Sequence, residues 1–273
     1  MGPDSYLPMA GDWVDADNTE SQCGSDGLIF NQYNLRSSDA MPANFQVFHY
    51  YENNFSEKSK WRHAFRNSIE TLRQARREAG SKAFIPDILY VEVDSNGHVE
   101  DVVFPGSKVD PFCDGTESDT EHYAYNSSRI PWRMGHHYIA KVSSGGNPGI
   151  YARRAAYISS RIGAYIVNRI KSGGVNKVYA IRNVTTGNVV NGNKYDSLAF
   201  IGPYAVGISI LQYHNNNMAT KAQRQSRLNH FWDKMKEQQS DPQNRDYYGE
   251  TLSLLSMLTI SGNLWSPKHN YED

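Results

Sequence analysis

Apolar residues recur at helical spacing along most of the chain. In the clearest segment, four of them share one face of an amphipathic helix predicted from about Ser56 to Gly80: Trp61, Phe65, Ile69 and Leu72. The same spacing, with capping residues and chain breakers at the ends, predicts six more helices at about 42–52, 131–141, 148–171, 203–211, 221–239 and 247–260. The last helix is apolar nearly all round, which predicts a position in the protein interior.

Strand patterns are few and short. Leu89–Val93 and Val99–Phe104 are predicted strands within a long irregular segment, 81–124, and uncovered segments of this length often carry function. Val178–Val184 and Val189–Tyr195 are predicted to form a small β-hairpin. There is no βαβ alternation, no glycine-rich phosphate loop and no His/Cys set at metal-binding spacing. The pattern therefore predicts a mainly α protein without a cofactor, and its helix–loop–helix rhythm suits helices wound pairwise into a barrel.

The charge balance limits the candidate partners. Lys and Arg number 28 and Asp and Glu number 29, which gives a net charge of −1. Such a chain has no overall field for polyanions, so neither nucleic acid nor an anionic membrane is a predicted partner. No apolar run is long enough for a membrane span, and the first residues do not form a secretory signal. The two cysteines, Cys23 and Cys113, could form one disulfide or remain thiols.

The richest candidate chemistry lies in Tyr125–Arg133, which contains two aromatic residues, an amide and two guanidinium groups. It follows an acidic loop that carries four carboxylates: Asp114, Glu117, Asp119 and Glu121. Aromatic faces stack on pyranose rings, Arg and Asn bind hydroxyls, and carboxylates move protons at the anomeric carbon. The segment therefore suggests a sugar-cleaving site. The alternative is a loop before a helix, in which Arg129 pairs with a carboxylate and Trp132 fills the core.

Five segments, in order along the chain, together resemble glycoside hydrolase family 8, the inverting endo-glycanases of β-1,4-linked glucans, xylans and chitosan. Leu7–Trp13 contains Gly-Asp-Trp, and Arg36–Pro42 is similar to the Arg-x-Ser-Asp-x-Met-Pro start of a helix. Tyr125–Arg133 resembles the segment that carries site residues in that family. The remaining matches lie near the C-terminus: Ile201–Val206, and Tyr247–Leu252 with Ser261–Trp265.

The resemblance implies an (α/α)6 barrel with the substrate cleft across one end, formed by one catalytic domain over residues 1–273. The family's general-acid Glu lies in a Ser-Glu-Gly-type segment well upstream of Gly-Asp-Trp, and this chain begins a few residues before that match. We therefore expect the C-terminal portion of the domain, with an incomplete barrel that lacks its first helices. The family's proteins are typically extracellular, and we expect a monomer if the barrel is completed.

The resemblance also implies catalytic residues. In one branch of the family an Asp follows the Tyr and is the general base, whereas this chain has Asn126 there. Another branch, associated with chitosanase, lichenase and cellulase activity, also has Asn and takes its base from a Glu just upstream. Glu117 is the closest match to that Glu, with Glu121 the second candidate. Asn126 would then orient the attacking water or a sugar hydroxyl.

Further residues are expected to contact substrate. Trp13, Tyr125 and Tyr247 would line the cleft, and Trp132 would add another aromatic surface. Arg129 and Asp39 would bind sugar hydroxyls or pair with each other. No metal site is expected.

Two other functions stay open. The chain could be a carbohydrate-binding protein of the same fold that has lost its general acid. It could also be an unrelated α/α-barrel lyase for uronic acids, which would need a basic cleft that the balanced charge does not suggest.

Overall fold

The computed structural model describes residues 1–9, 14–19, 30–104, 108–109, 118–119, 121–143, 145, 147–171, 178, 180–190, 196–211, 220–241 and 246–264. Trp13, Glu117 and both cysteines lie outside these ranges. Seven α-helices dominate the described part of the chain: α1 Pro42–Tyr51, α2 Phe55–Glu78, α3 Ile130–Ser143, α4 Gly149–Lys171, α5 Leu198–Ser209, α6 Lys221–Ser240 and α7 Tyr247–Ile260.

The helices agree with the sequence pattern except at the start of α5. That helix was predicted from Pro203 but begins at Leu198, because the Ser197 hydroxyl accepts a hydrogen bond from the Ala199 N–H at 3.3 Å and caps it. Proline is favoured in the first turn of a helix, which made Pro203 a plausible start. The proline instead lies inside a helix that is buried along nearly its whole length.

The helices pack in two layers. The odd-numbered helices contact one another in succession along the chain, while α2, α4 and α6 each pack against the odd-numbered helix before them. Helices α4 and α5 approach very closely at Gly163 and Gly207, where a Cβ on Gly163 would lie 2.5 Å from the Gly207 carbonyl carbon. Glycine is therefore required at this crossing, since any side chain would overlap the neighbouring backbone.

Helix α7 is less buried than its sequence predicts. Leu252 packs into the core, but Leu254 is 55% exposed and Met257 and Leu258 are half-buried. The prediction of a fully interior helix was wrong, because α7 packs mainly against α5 and the described residues do not cover its other face. Within the described residues, none of the helices combines the length and apolarity that a membrane crossing needs.

The main sheet has three antiparallel strands in the order β1 (Asn34–Arg36), β2 (Ile88–Val93) and β3 (Val99–Val103). The two predicted strands are thus confirmed as β2 and β3, and Gly97, with φ of +74°, lies in the turn that joins them. Strand β1 was not predicted, because three residues are too few to show alternation. Two smaller ladders pair Lys108–Val109 (β4) with Ser118–Asp119 (β5), and His122–Tyr123 (β6) with Arg182–Asn183 (β7).

The hairpin predicted around Thr186 and Gly187 is only partly present. The chain does turn there, since the Asn183 N–H donates to the Asn188 carbonyl at 3.0 Å and Val190 donates to Ile181 at 3.1 Å. However, β7 takes β6 as its ladder partner, and residues 191–195 lie outside the described ranges. The local turn was visible in the sequence, whereas the distant partner was not.

Two adjacent histidines on α3 make stability depend on pH. Burial, with repulsion from Arg133, lowers the pKa of His136 to about 4. Burial, with repulsion from Lys141, lowers the pKa of His137 to about 3. In an unfolded chain both imidazoles titrate near the ordinary pKa of about 6.5. Below that pH the unfolded chain binds protons that the folded chain does not, so acid favours unfolding.

We expect the free energy of unfolding to fall between pH 6.5 and pH 5 by about 1.5 kcal/mol for each of these histidines. Urea denaturation at both pH values measures the fall. His136→Gln should reduce this pH-dependent fall in the free energy of unfolding by the part that His136 contributes. His230→Gln, at an exposed position on α6, should leave the fall unchanged. An identical fall in wild type and His136→Gln would contradict this account.

Candidate active site

The Asp87 carboxylate fixes the segment that precedes α3. Its Oδ1 accepts hydrogen bonds from the Ala124 N–H at 3.0 Å and from the Ser127 N–H and hydroxyl at 2.9 and 2.6 Å. Its Oδ2 accepts from the Asn126 N–H at 3.0 Å. Asp87 is only 9% exposed, so these bonds replace water around a buried charge. The backbone around Tyr125 and Asn126 is thereby held in one conformation.

The backbone of Asp87 connects this segment to a second part of the site. The Asp87 N–H donates to the His122 carbonyl at 3.1 Å, and its carbonyl accepts from the Ser37 N–H at 2.9 Å. Ser37–Asp39 forms a 3-10 turn between β1 and α1. One residue therefore positions both Asp39 and the segment after β6.

Arg129 joins these two turns. Its Nη2 donates to the Asn126 Oδ1 at 2.7 Å and to the Ser38 hydroxyl at 2.6 Å, and that hydroxyl lies 3.4 Å from the Asp39 Oδ1. The structure thus brings together three predicted site residues, with Ser38 linking Arg129 to Asp39. Because the Asn126 Oδ1 accepts from a guanidinium, the amide NH2 is the group it can offer to another molecule.

Tyr248 closes the site from α7. Its hydroxyl donates to the Tyr125 carbonyl, the two rings lie 6.0 Å apart at 64°, and the Arg129 guanidinium carbon lies 5.8 Å from the Tyr248 ring centre. Burial raises the pKa of the Tyr248 hydroxyl. The neighbouring Tyr247 is 88% exposed and Tyr125 is 39% exposed, so both predicted contact residues present aromatic surface to solvent.

A cationic strip continues from Arg129 along α3. Arg133 and His136 follow at helical spacing and are largely buried, and the Arg133 Nε and His136 Nε2 have no hydrogen-bond partner among the described residues. Burial, and then repulsion from Arg129, lower the pKa of Arg133 to about 10. Arg133 therefore stays charged at neutral pH, and together with Arg129 it places two positive charges at the start of α3.

Trp132 lies in the core, away from any surface that a sugar could reach. It is 6% exposed, and its indole N–H donates to the Thr259 hydroxyl at 3.1 Å. We therefore replace the expectation of a substrate contact with a packing role that joins α3 to α7. The alternative interpretation, in which this tryptophan fills the core, matches the geometry.

The two candidate bases differ in what the structure describes. Glu117 and the predicted cleft residue Trp13 lie outside the described ranges. Glu121 is half-buried, its Oε2 accepts from the Asn183 Nδ2 at 3.3 Å, and its carbonyl accepts from the Val184 N–H at 2.8 Å. Glu121 is thus engaged with the β7 turn.

Three residues of the site were given no role from the sequence, namely Ser38, Asp87 and Tyr248, and Arg133 was noted only as part of the Tyr125–Arg133 segment. The place of Arg133 could have been inferred, because it follows Arg129 by one helical turn. Tyr248 adjoins the predicted Tyr247, and only the packing of α7 distinguishes their roles. Asp87 gave no signal, because its partners lie 37 to 40 positions away along the chain.

Comparison with known proteins identifies the fold. No family model matches the chain, and no curated protein sequence matches it significantly. Solved structures do match. A β-1,3-1,4-glucanase from Paenibacillus sp. X4, in its apo form, aligns over 96% of this chain with a TM-score of 0.68 at 20% identity. A cold-adapted family 8 xylanase aligns over 97% with a TM-score of 0.61 at 16% identity, and a substrate complex of a cold-adapted family 8 xylanase aligns over 88% with a TM-score of 0.58 at 16% identity.

The chain has the fold of part of the (α/α)6 barrel of these family 8 glycoside hydrolases, which confirms the predicted fold class. It spans about half the length of the structures it matches, namely 56%, 54% and 52% of those chains. Identities of 16–20% establish the architecture and leave the activity to be argued from the site.

Replacing Asp87 tests the anchor of the site. In Asp87→Asn the remaining side-chain oxygen can keep the bonds at Oδ1, but the new NH2 faces the Asn126 N–H, which loses its acceptor, and the bonds to a charged acceptor become neutral. We therefore expect a loss of about 3 kcal/mol in the free energy of unfolding. Urea denaturation measures the loss. Asp101→Asn is the matched control, because Asp101 is exposed. Among the described contacts, its carboxylate accepts only from the N–H of the adjacent Val102. Equal midpoints for the two variants would refute the anchoring role.

Proposed function

We propose that this chain is the C-terminal portion of the catalytic domain of an inverting endo-glycosidase that hydrolyses a β-1,4-linked polysaccharide, either glucan or chitosan. The observation that supports the proposal most directly is the Arg129–Asn126–Ser38 hydrogen-bond cluster, which lies beside exposed Tyr125 and Tyr247. Hydrogen-bond donors to hydroxyls, next to aromatic faces, form the usual surface for a sugar chain. The barrel shared with a family 8 xylanase solved with its substrate adds to this support.

In the proposed reaction, Glu117 is the general base. It takes a proton from a water molecule, and that water attacks the anomeric carbon from the face opposite the leaving sugar. Asn126 orients the water or a neighbouring hydroxyl through its amide NH2, since its oxygen is engaged by Arg129. A general base must be ionised to act.

Inversion also requires a general acid about 6.5–9.5 Å from the base, to protonate the leaving oxygen. By the family resemblance, that acid is a Glu in a Ser-Glu-Gly-type segment upstream of the Gly11-Asp12-Trp13 match. Asp39 would bind substrate hydroxyls beside Arg129. By the same resemblance, we propose that the protein acts outside the cell as a monomer.

The acidic loop sets a mild substrate preference. It carries Asp114, Glu117, Asp119 and Glu121, and a concentration of negative charge favours a cationic polymer. Chitosan is cationic, whereas neutral glucans gain nothing from this charge. We therefore place chitosan first, and lichenan and carboxymethyl-cellulose are the comparison substrates.

The identity of the base is tested by substitution. In a full-length form of the protein that carries the general acid, Glu117→Gln should lower kcat on the preferred polymer by at least about 100-fold, because general-base catalysis contributes at this level. Reducing-sugar release measures turnover, and proton NMR of the first products should show the inverted anomer. Glu100→Gln, at an exposed position on β3, is the control and should retain wild-type kcat. Wild-type turnover in Glu117→Gln, with loss in Glu121→Gln, would transfer the base role to Glu121.

A second function is a carbohydrate-binding protein of this fold. The cluster of Arg129, Asn126 and Ser38 would bind hydroxyls whether or not a general acid is present. Isothermal titration with β-1,4-linked oligosaccharides, run beside the reducing-sugar assay, separates the two functions. We expect binding together with turnover. Binding that Arg129→Gln weakens, without turnover on any of the three polymers, would establish the binding function instead.

A further inference from the structure

A cleft rich in arginine lies on the outer layer of helices, between α2 and α4. Its volume is 270 Å³. Five arginines line it together with one aliphatic and one aromatic side chain: Arg73, Arg76, Arg77, Arg153, Arg154, Ile150 and Tyr157. The arginines come from one stripe on each helix, so the cleft exists only because the two helices lie side by side. The balanced charge of the chain gave no sign of such a basic cleft.

Only part of this positive charge is neutralised. Glu70 on α2 pairs with Arg73, and also with Arg154 at 3.3 Å. Glu78, the other carboxylate on this part of α2, is exposed and forms no ion pair within the described residues. In the same described part, no carboxylate pairs with Arg76, Arg77 or Arg153. Three guanidinium groups around one cavity thus lack a described carboxylate partner, and one of them, Arg153, donates from Nη1 to the Asn147 Oδ1 at 3.3 Å.

The geometry of Arg76 favours an anion further. Its Nε is buried and has no hydrogen-bond partner in the described structure. Its guanidinium carbon lies 4.9 Å from the centre of the Tyr157 ring, which holds the group against an aromatic wall. A guanidinium kept in place this way presents a fixed fork of donors, and that fork matches the two oxygens of a carboxylate.

The remaining wall of the cleft is apolar. Ile150 is 47% exposed and Tyr157 is 36% exposed, so both present carbon surface beside the arginines. A ligand that fits this combination carries a carboxylate on a ring with an apolar face. The cavity is at the small end of ligand pockets, which usually measure about 300–1,000 Å³, so it suits a short stretch of chain.

We propose that the α2–α4 cleft binds uronic acid units of an acidic polysaccharide, at a site separate from the catalytic one. The choice of a polysaccharide over another polyanion rests on the proposed function, since a glycosidase meets acidic sugars alongside its substrate. The cleft would hold the protein on a mixed polysaccharide while the active site cleaves the neutral or cationic chain. Nucleic acid is disfavoured, because its binding draws on many phosphate contacts and the whole chain has a net charge of −1.

The test measures binding of the full chain to polygalacturonate by affinity electrophoresis and by titration with its oligomers. Arg77→Gln/Arg153→Gln removes two exposed charges of the cleft, and we expect at least about a tenfold rise in Kd. Arg62→Gln/Lys236→Gln removes two exposed charges elsewhere, on α2 and α6, and should change Kd by less than about twofold. Fully methyl-esterified polygalacturonate, which lacks the carboxylates, should not bind. Adding Arg76→Gln to the first variant should weaken binding further.

Several results would overturn the proposal: equal Kd values for the cleft variant and the control variant, binding of the methyl-esterified polymer, or tighter binding of duplex DNA or inorganic phosphate than of polygalacturonate.

Hydrolysis of lichenan and chitosan is assayed in parallel. The cleft variant should keep wild-type hydrolysis, because its substitutions lie outside the catalytic cluster. If the wild-type protein binds polygalacturonate but hydrolyses neither lichenan nor chitosan, only the proposed function is refuted. If it hydrolyses one of these polymers but does not bind polygalacturonate, only the cleft proposal is refuted.

Discussion

The buried carboxylate of Asp87 is the constraint on which the site depends. It accepts three backbone N–H groups and one hydroxyl from Ala124, Asn126 and Ser127. A buried charge is tolerated only when such donors replace water. The carboxylate therefore requires these bonds, and the bonds in turn hold the segment in place. Ser38, Asn126, Arg129 and Tyr248 each lie on, or hydrogen-bond to, the turns that this interaction fixes.

The consequence is a site assembled from rigid parts. Arg129 ends the anchored 3-10 turn just before α3, and Arg133 follows it by one helical turn inside α3. Ser38 and Asp39 arrive from the other side, on a turn that is bonded to the Asp87 backbone. Such an arrangement needs little reorganisation when a ligand binds, which is what sugar recognition and proton transfer both require.

The candidate active site and the α2–α4 cleft both contain arginines, but the partners of these arginines differ. At the candidate active site, the Arg129 guanidinium is engaged by Asn126 and Ser38. In the α2–α4 cleft, arginines outnumber their described carboxylate partners and point to a separate anionic ligand. The candidate active site lies at the start of α3, in the inner layer of helices, and the α2–α4 cleft lies on the outer layer. A substitution in one of them should therefore leave the other intact.

The barrel class was indicated by the family resemblance of five segments, while the residue pattern by itself determined the helices, apart from the start of α5, and the strands β2 and β3. Their signals are local: the caps at Asn54, Thr220 and Asp246 bond amides within three residues, and apolar periodicity marks each helix face. The sequence also indicated Asn126, Arg129 and Asp39, which the structure brings together. Only the tertiary structure decided that Asp87 anchors the site, that Trp132 is buried, and that Tyr248 contacts Tyr125 from 123 positions away. The reason is physical: these contacts join residues far apart in the chain, and their geometry is set by how the helices pack.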